Sequence, residues 1–190
     1  MIVARILLVA LIATLLINRL LNTLKTEKDN REYRKEFLYY IICSLAGIAM
    51  VTAGMYILDP TLLAFTQFQF PSFVYWIGNV LMLLGISLWL WSKNTLGNNW
   101  SPRIAIREDH TLITTGPYHW VRHPIYTSYI IQVIGICMAT SNLALIIPCA
   151  AISSLTWNRA SEEEETLTAK FGEAYKKYVK ETGKLFPRIF

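Results

Sequence analysis

The stretch Ile125–Trp157, IYTSYIIQVIGICMATSNLALIIPCAAISSLTW, decides the fold. It carries no Asp, Glu, Lys or Arg, and its apolar run is interrupted at Ala139-Thr140-Ser141-Asn142. A hydrocarbon core of about 30 Å takes about 20 helical residues at about 1.5 Å rise each. The two arms on either side of that interruption are each near the lower limit for a span, so the stretch reads as a tight helical hairpin. A re-entrant pair is the competing reading, and Pro148 permits a kink because membrane helices tolerate proline where neighbours satisfy the freed carbonyl. Working outward, further runs long enough to span extend from Ile2 to Leu21, Phe37 to Leu58 and Phe73 to Trp91. The expected fold is all-α: a polytopic membrane protein of about five transmembrane helices, followed by a C-terminal interfacial amphipathic helix.

Composition agrees. Of 190 residues, 54% are hydrophobic and only 16% charged, with a mean hydropathy of +0.36, against roughly a quarter charged in soluble chains. A disordered chain, a disulfide scaffold and a nucleic-acid module are all excluded, since the basic excess is only +5. That excess suits a membrane surface, and membrane lipids are the expected surroundings. Cys43, Cys137 and Cys149 lie in apolar runs without a CxxC pair and read as small buried hydrophobes. The run from Ile2 to Leu21 lacks a small-residue cleavage region and leads into a charged loop, so it is expected to stay as the first helix.

Lysine and arginine alternate by loop. The segment 22–36 holds Lys25, Lys28, Arg31, Arg34 and Lys35, the segment 59–72 holds none, and the segment 93–123 holds Lys93, Arg103, Arg107 and Arg122. By the positive-inside rule, the first loop, the third connection and the tail are cytoplasmic and the N-terminus is outside. The chain shows no internal repeat or linker and reads as a single domain, 1–190, with three spans in 1–92 and the chemistry in 93–190. In the tail, Leu167, Phe171, Tyr175 and Tyr178 share one helix face, with lysines available to headgroups and Gly183 ending the helix.

Two clusters can carry chemistry. The first runs from His110 to Tyr126 and packs all three histidines, Arg122, two tyrosines and a Gly116-Pro117 turn into one loop. Pro124 suits the first turn of a helix, where its missing N–H would be unpaired anyway, so His123 falls at the helix entrance. A headgroup-anchoring loop is the bland alternative. Metal binding by His119 and His123, four apart, is disfavoured because Pro124 opposes helical geometry at His123 and no cysteine or HExxH accompanies them; no metal is expected. The second cluster is Arg159-Ala160-Ser161-Glu162-Glu163-Glu164-Glu165. At least two of these carboxylates must face solvent, but Arg159 and Glu163 are one turn apart and share a face. No GxGxxG, GxxxxGK[ST] or GxSxG is present, so dinucleotide-fold, phosphate-loop and serine-hydrolase chemistry lack support.

Taken together, His110-Thr111-Leu112-Ile113, Gly116-Pro117-Tyr118, Arg122-His123-Pro124 with Tyr126, then Arg159, Glu163-Glu164, Leu167, Phe171-Gly172, Tyr175 and Tyr178 resemble the isoprenylcysteine carboxyl methyltransferase family. The likeness covers positions 98–190. Phospholipid N-methyltransferases and the C-terminal part of sterol reductases share the RHPxY and EE elements; the HTLI segment and Arg159 tilt the likeness to the carboxyl enzymes. The chain is short and resembles prokaryotic members. The resemblance implies S-adenosylmethionine as cofactor, with S-adenosylhomocysteine as product. It further implies cofactor binding by His110, Thr111, Leu112, Ile113, Gly116, Tyr118, His123, Pro124, Ile125, Tyr126 and Glu163, and a catalytic pair of Arg159 on the acceptor carboxylate and Glu163. The acceptor would be a prenylated cysteine or similar lipophilic carboxylate entering sideways from the bilayer, with the cofactor reaching its site from the cytoplasm.

Such a reaction suits a dry site, because a sulfonium and a carboxylate become two neutral products and charge disperses in the transition state. A carboxylate is already ionised at pH 7, so no general base is needed. The alternatives are N-methylation of an amine phospholipid, which requires a proton acceptor such as Glu163, Glu164 or His123, and a non-catalytic protein whose basic loops bind anionic lipid.

Overall fold

The computed structural model describes residues 2–26, 37–100 and 111–188. Among these the chain is helical, with no strand and only isolated bridges. Helices α1 (Ile2–Thr26), α2 (Phe37–Leu58), α3 (Ser72–Leu96), α4 (Pro124–Thr140), α5 (Leu143–Phe171) and α6 (Glu173–Glu181) are joined in part by short 3-10 turns at Pro60–Thr66, Gly97–Asn99 and Gly116–His119. Tyr40–Leu58, α3 and α5 are long and apolar enough to cross a membrane; Ile2–Thr14 and α4 are shorter apolar helices.

Glycine sets the distance between α3 and α4. A Cβ on Gly78 would strike the backbone of Met138 and Ala139, and one on Gly135 would lie 2.8 Å from the Met82 nitrogen. Small residues let two backbones approach closely where lipid leaves no hydrophobic drive for helix pairing. Around this contact, Ala4, Leu7, Tyr56, Leu63, Met82, Ile136, Ala139 and Leu145 form the core. Val51, Phe73, Trp76, Val80 and Leu84 point outward, the inverse of a water-soluble bundle.

The expected hairpin is present. α4 stops at Thr140, Ser141 takes the left-handed conformation (φ 48°), and Asn142 caps α5 by accepting from the Ala144 amide at 3.1 Å. The fully buried Asn142 side chain also accepts from Thr66 at 2.9 Å and donates to the Leu63 carbonyl at 3.0 Å. Pro148 sits inside α5 without ending it.

The tail differs from its sequence reading. α5 runs unbroken to Phe171, and Gly172 at φ 54° turns the chain into the separate helix α6. Leu167 and Phe171 therefore belong to α5, not to one face with Tyr175 and Tyr178. A positive φ favours glycine, so a break falls at Gly172, and α6 then ends at Glu181, just before Gly183. Tyr175 and Tyr178 are buried in protein.

Candidate functional site

The site lies where the C-terminal end of α5 meets the N-terminal end of α4. Gly116, at φ 59°, turns the chain against Thr95 of α3, where a Cβ would come within 3.0 Å of the threonine hydroxyl. Pro117 and buried Tyr118 follow in a 3-10 turn, and the Tyr178 hydroxyl of α6 donates to the Tyr118 carbonyl at 2.6 Å. The chain after α6 then runs beside the loop. Arg122 donates its amide to Gly183 at 2.9 Å, His123 to Lys184 at 3.1 Å, and Gly183 to Trp120 at 3.2 Å. The Thr127 hydroxyl donates to the Leu185 carbonyl at 2.6 Å. His123 is thus fixed from both sides, as the residue capping α4 and as a partner of the tail.

Its ring sits between two carboxylates. Nδ1 is 3.3 Å from Glu163 Oε2 and Nε2 is 3.1 Å from Glu164 Oε1, with the side chain buried. Burial pushes the imidazole pKa down, but the hydrogen bonds and charges of Glu163 and Glu164 outweigh it, and the pKa is raised. With carboxylates at both nitrogens, the geometry favours an imidazolium donating from each. The same Glu164 Oε1 accepts from Arg122 Nε at 2.8 Å, and Lys184 Nζ lies 3.7 Å from Oε2. Arg122 is itself spent on the end of α6, donating to the Val179 and Thr182 carbonyls at 3.2 and 2.5 Å. Lys184 also donates to Ser161 at 2.8 Å and lies over the Trp157 ring at 4.7 Å.

Tyr126 stacks on His123, ring centres 5.5 Å apart and 15° from parallel, and bonds to Glu163. Arg159, buried one turn before Glu163, acts electrostatically on Glu163, Tyr126 and Tyr129. On the outer side, Tyr178 keeps its proton to about pH 12: burial raises its pKa, Arg122 opposes this and Glu164 adds to it. Tyr178 also forms a wall of a pocket of about 390 Å³, lined with Leu112, Thr114, His119, Trp120 and Lys177 among others.

The sequence-predicted residues fall into two groups. His123, Pro124, Tyr126, Arg159 and Glu163 converge in the buried cluster, with Tyr118 close by and Ile125 packed against Tyr126 and Ala160. Leu112 lines the outer pocket, Ile113 is half-buried, and Thr111 is exposed, accepting from the Asn99 amide at 3.3 and 3.0 Å. His110 lies outside the described residues. Sequence reasoning missed Arg122 and Glu164 as the pair that holds His123; their adjacency to His123 and Glu163 was the available signal. It also missed Lys184, whose approach to Glu164 no spacing rule foretells.

Residues 76–169 match the isoprenylcysteine carboxyl methyltransferase family. Among similar curated proteins are the cobalt-zinc-cadmium resistance protein CzcN of Cupriavidus metallidurans, 29% identical over 60% of this chain and 52% of that protein. Another is the protein-S-isoprenylcysteine O-methyltransferase of Dictyostelium discoideum, 30% identical over 63% of this chain and 54% of that protein. The solved structure of the eukaryotic intramembrane Ras methyltransferase ICMT superposes with a TM-score of 0.55 at 26% identity, over 82% of this chain and 54% of that one. The chain spans about half the length of the relatives it matches.

Proposed function

We propose, from the match of residues 76–169 to the isoprenylcysteine carboxyl methyltransferase family, that this protein methylates the C-terminal carboxylate of a prenylated cysteine or similar lipophilic acid, using S-adenosylmethionine. The observation that carries the reading is the convergence of buried Arg159, His123 and Tyr126 with the half-buried Glu163, from two helices, into one cluster. The residues present fit such a cofactor. Carboxylates suit its ammonium and sulfonium; the pocket of about 390 Å³ beside Tyr178 is a separate space, lined by Leu112 but not by Glu163, Tyr126 or Tyr118. Glu163, Tyr126 and Tyr118 would hold it, with Leu112 and its neighbours at the outer pocket. When bound, it supplies a methyl group whose bond to sulfur breaks, the electron pair staying on sulfur, as the new bond to the carboxylate oxygen forms.

Arg159 orients the acceptor carboxylate. A planar fork suits two oxygens at once, and its burial beside Tyr126 and Tyr129 excludes competing water. Glu163 balances this cation, so the clamp positions the nucleophile without fully quenching its charge; rate then comes from alignment. His123, held at both nitrogens, acts as a fixed strut for Glu163. Arg122, Glu164 and Lys184 keep the tail closed over it. In the membrane we place five spans, with α1 and the shorter helix α4 crossing beside α2, α3 and α5. The N-terminus is outside, and the charged end faces the cytoplasm, where the cofactor is dissolved.

The test is to supply the purified protein in lipid with methyl-labelled S-adenosylmethionine and, separately, acetylated farnesylcysteine and phosphatidylethanolamine. Base-labile label on the farnesylcysteine is expected. Label on the amine lipid alone would overturn the reading in favour of N-methylation, and label on neither would remove the activity.

A further inference from the structure

We infer that Arg5, Tyr56, Tyr75 and Asp59 form a headgroup site for a zwitterionic phospholipid, with its phosphodiester on Arg5 and the two tyrosine hydroxyls and its ammonium towards Asp59. The site lies at the end of the bundle away from His123, where the start of α1, the end of α2 and the start of α3 meet. Ala4, Leu7 and Leu8 of α1 pack with Tyr56 of α2 and with Leu63 in one core, which fixes Arg5 beside them. Arg5 Nε is buried without a hydrogen-bond partner. A snorkelling arginine keeps its head in water, whereas a covered donor with no acceptor carries an uncompensated desolvation cost. Tyr56 is buried, and Arg5 and Tyr75 both act electrostatically on its hydroxyl. The Tyr75 hydroxyl accepts from the Phe70 amide at 3.3 Å, which leaves its own proton to donate. Trp76 and Phe73 are 65% and 62% exposed at the start of α3, and Leu58 and Phe65 are more exposed still, the aromatic and apolar girdle of a bilayer interface. The α4–α5 turn at this end stays neutral; these charges belong to α1 and to the end of α2.

The chemistry selects the ligand. A guanidinium has donors only, and its planar fork suits the paired oxygens of a phosphate. An anion is thus the first requirement. Asp59 sets the second. Its Oδ1 accepts from the Thr61 amide at 2.9 Å and hydroxyl at 2.7 Å, which holds the exposed carboxylate at the rim of the turn, and Arg5 acts on it electrostatically. A free phosphate or an anionic glycerol headgroup would meet Asp59 with like charge. An ethanolamine headgroup brings an ammonium there and a phosphodiester to Arg5, so both charges are met by one molecule. Its acyl chains would lie along Ile6 and Val9, the exposed residues next to Arg5 on α1.

The experiment titrates the purified full-length protein, in a non-ionic detergent, with phosphatidylethanolamine and with phosphatidylglycerol of the same acyl chains, and counts retained lipid by native mass spectrometry. The ethanolamine lipid should bind about threefold to fivefold more tightly, the size of one exposed charge pair. Arg5→Gln should weaken its binding roughly tenfold, the size of one charge-assisted hydrogen bond. Asp59→Asn should weaken the ethanolamine lipid alone and so erase the preference. Because Asp59 is exposed, that readout stands even where Arg5→Gln folds poorly. Soluble glycerophosphoethanolamine, added as competitor, should displace the lipid only in large excess, since it lacks the chains. Undiminished retention by folded Arg5→Gln would overturn the site. A preference for the glycerol lipid, or an ethanolamine preference that survives Asp59→Asn, would overturn the place of the ammonium. Equal potency of the soluble competitor would overturn the lipid and assign the site to a free phosphate ester.

Discussion

The two ends of the α4–α5 hairpin are both buried and polar, yet they are built differently. At the turn, Asn142 meets Leu63, Thr66 and Ala144 through neutral hydrogen bonds. At the open end, Arg122, His123, Arg159 and Lys184 gather around Glu163 and Glu164. Neutral closure is the economical way to fasten two elements, because a buried charge carries a desolvation penalty that pairing only partly returns. A fold that spends charge at one end and avoids it at the other has a reason beyond fastening. For the proposed methyl transfer, that reason is the chemistry of a charged acceptor and a charged cofactor.

The comparison breaks most visibly at Arg159. Arg159→Ala should lower kcat/KM for acetylated farnesylcysteine by about 30- to 5,000-fold, equivalent to ~2–5 kcal/mol for a charge left unpaired in a poorly solvated site. Affinity for S-adenosylhomocysteine, read by calorimetry, should move much less. Arg159→Lys should recover part of the loss, since it returns the charge but not the fork.

Glu164→Gln should act on folding first. It leaves Arg122 and His123 facing each other without their shared anion, and the side chain is about a fifth exposed, so the expected cost is about 2–4 kcal/mol, below the upper range for fully buried pairs. Thermal unfolding in detergent should show it, together with easier proteolysis of the 182–188 segment.

At the turn, Asn142→Ala removes a helix cap and two further hydrogen bonds, for about 1–2 kcal/mol of stability. Turnover per folded molecule should be preserved. The smallest effect concerns pH. His123 has a raised pKa in the folded state, so its contribution to stability is fully present below about pH 6.5, the unfolded value. It declines as pH rises through the folded pKa. The melting temperature of His123→Gln should approach that of wild type over this rise.

The hairpin was legible because the polar run Thr140-Ser141-Asn142 interrupts an otherwise apolar segment, and the start of α4 because Pro124 fits a first turn. The convergence of Arg159 with Glu163 followed from helical spacing alone. What could not be read depended on contacts distant in sequence. Asn142 finds Thr66 across 76 positions, and Thr127 finds Leu185 across 58. The orientation of His123 belongs with these. Its place at the helix entrance was apparent, but only the approach of α5 shows that both ring nitrogens face carboxylates. Gly172 was passed over because a spacing of four, four and three continues across it, while its positive φ is a matter of backbone and not of pattern.

The division between a chemical and a fastening end is tested most directly by kcat/KM for acetylated farnesylcysteine in Arg159→Ala and Asn142→Ala side by side, each normalised to folded protein. The Asn142 variant, though less stable, is expected to stay within about twofold of wild type, while the Arg159 variant falls by at least about 30-fold. Equal activities in the two variants, or a deeper loss at Asn142, would contradict it.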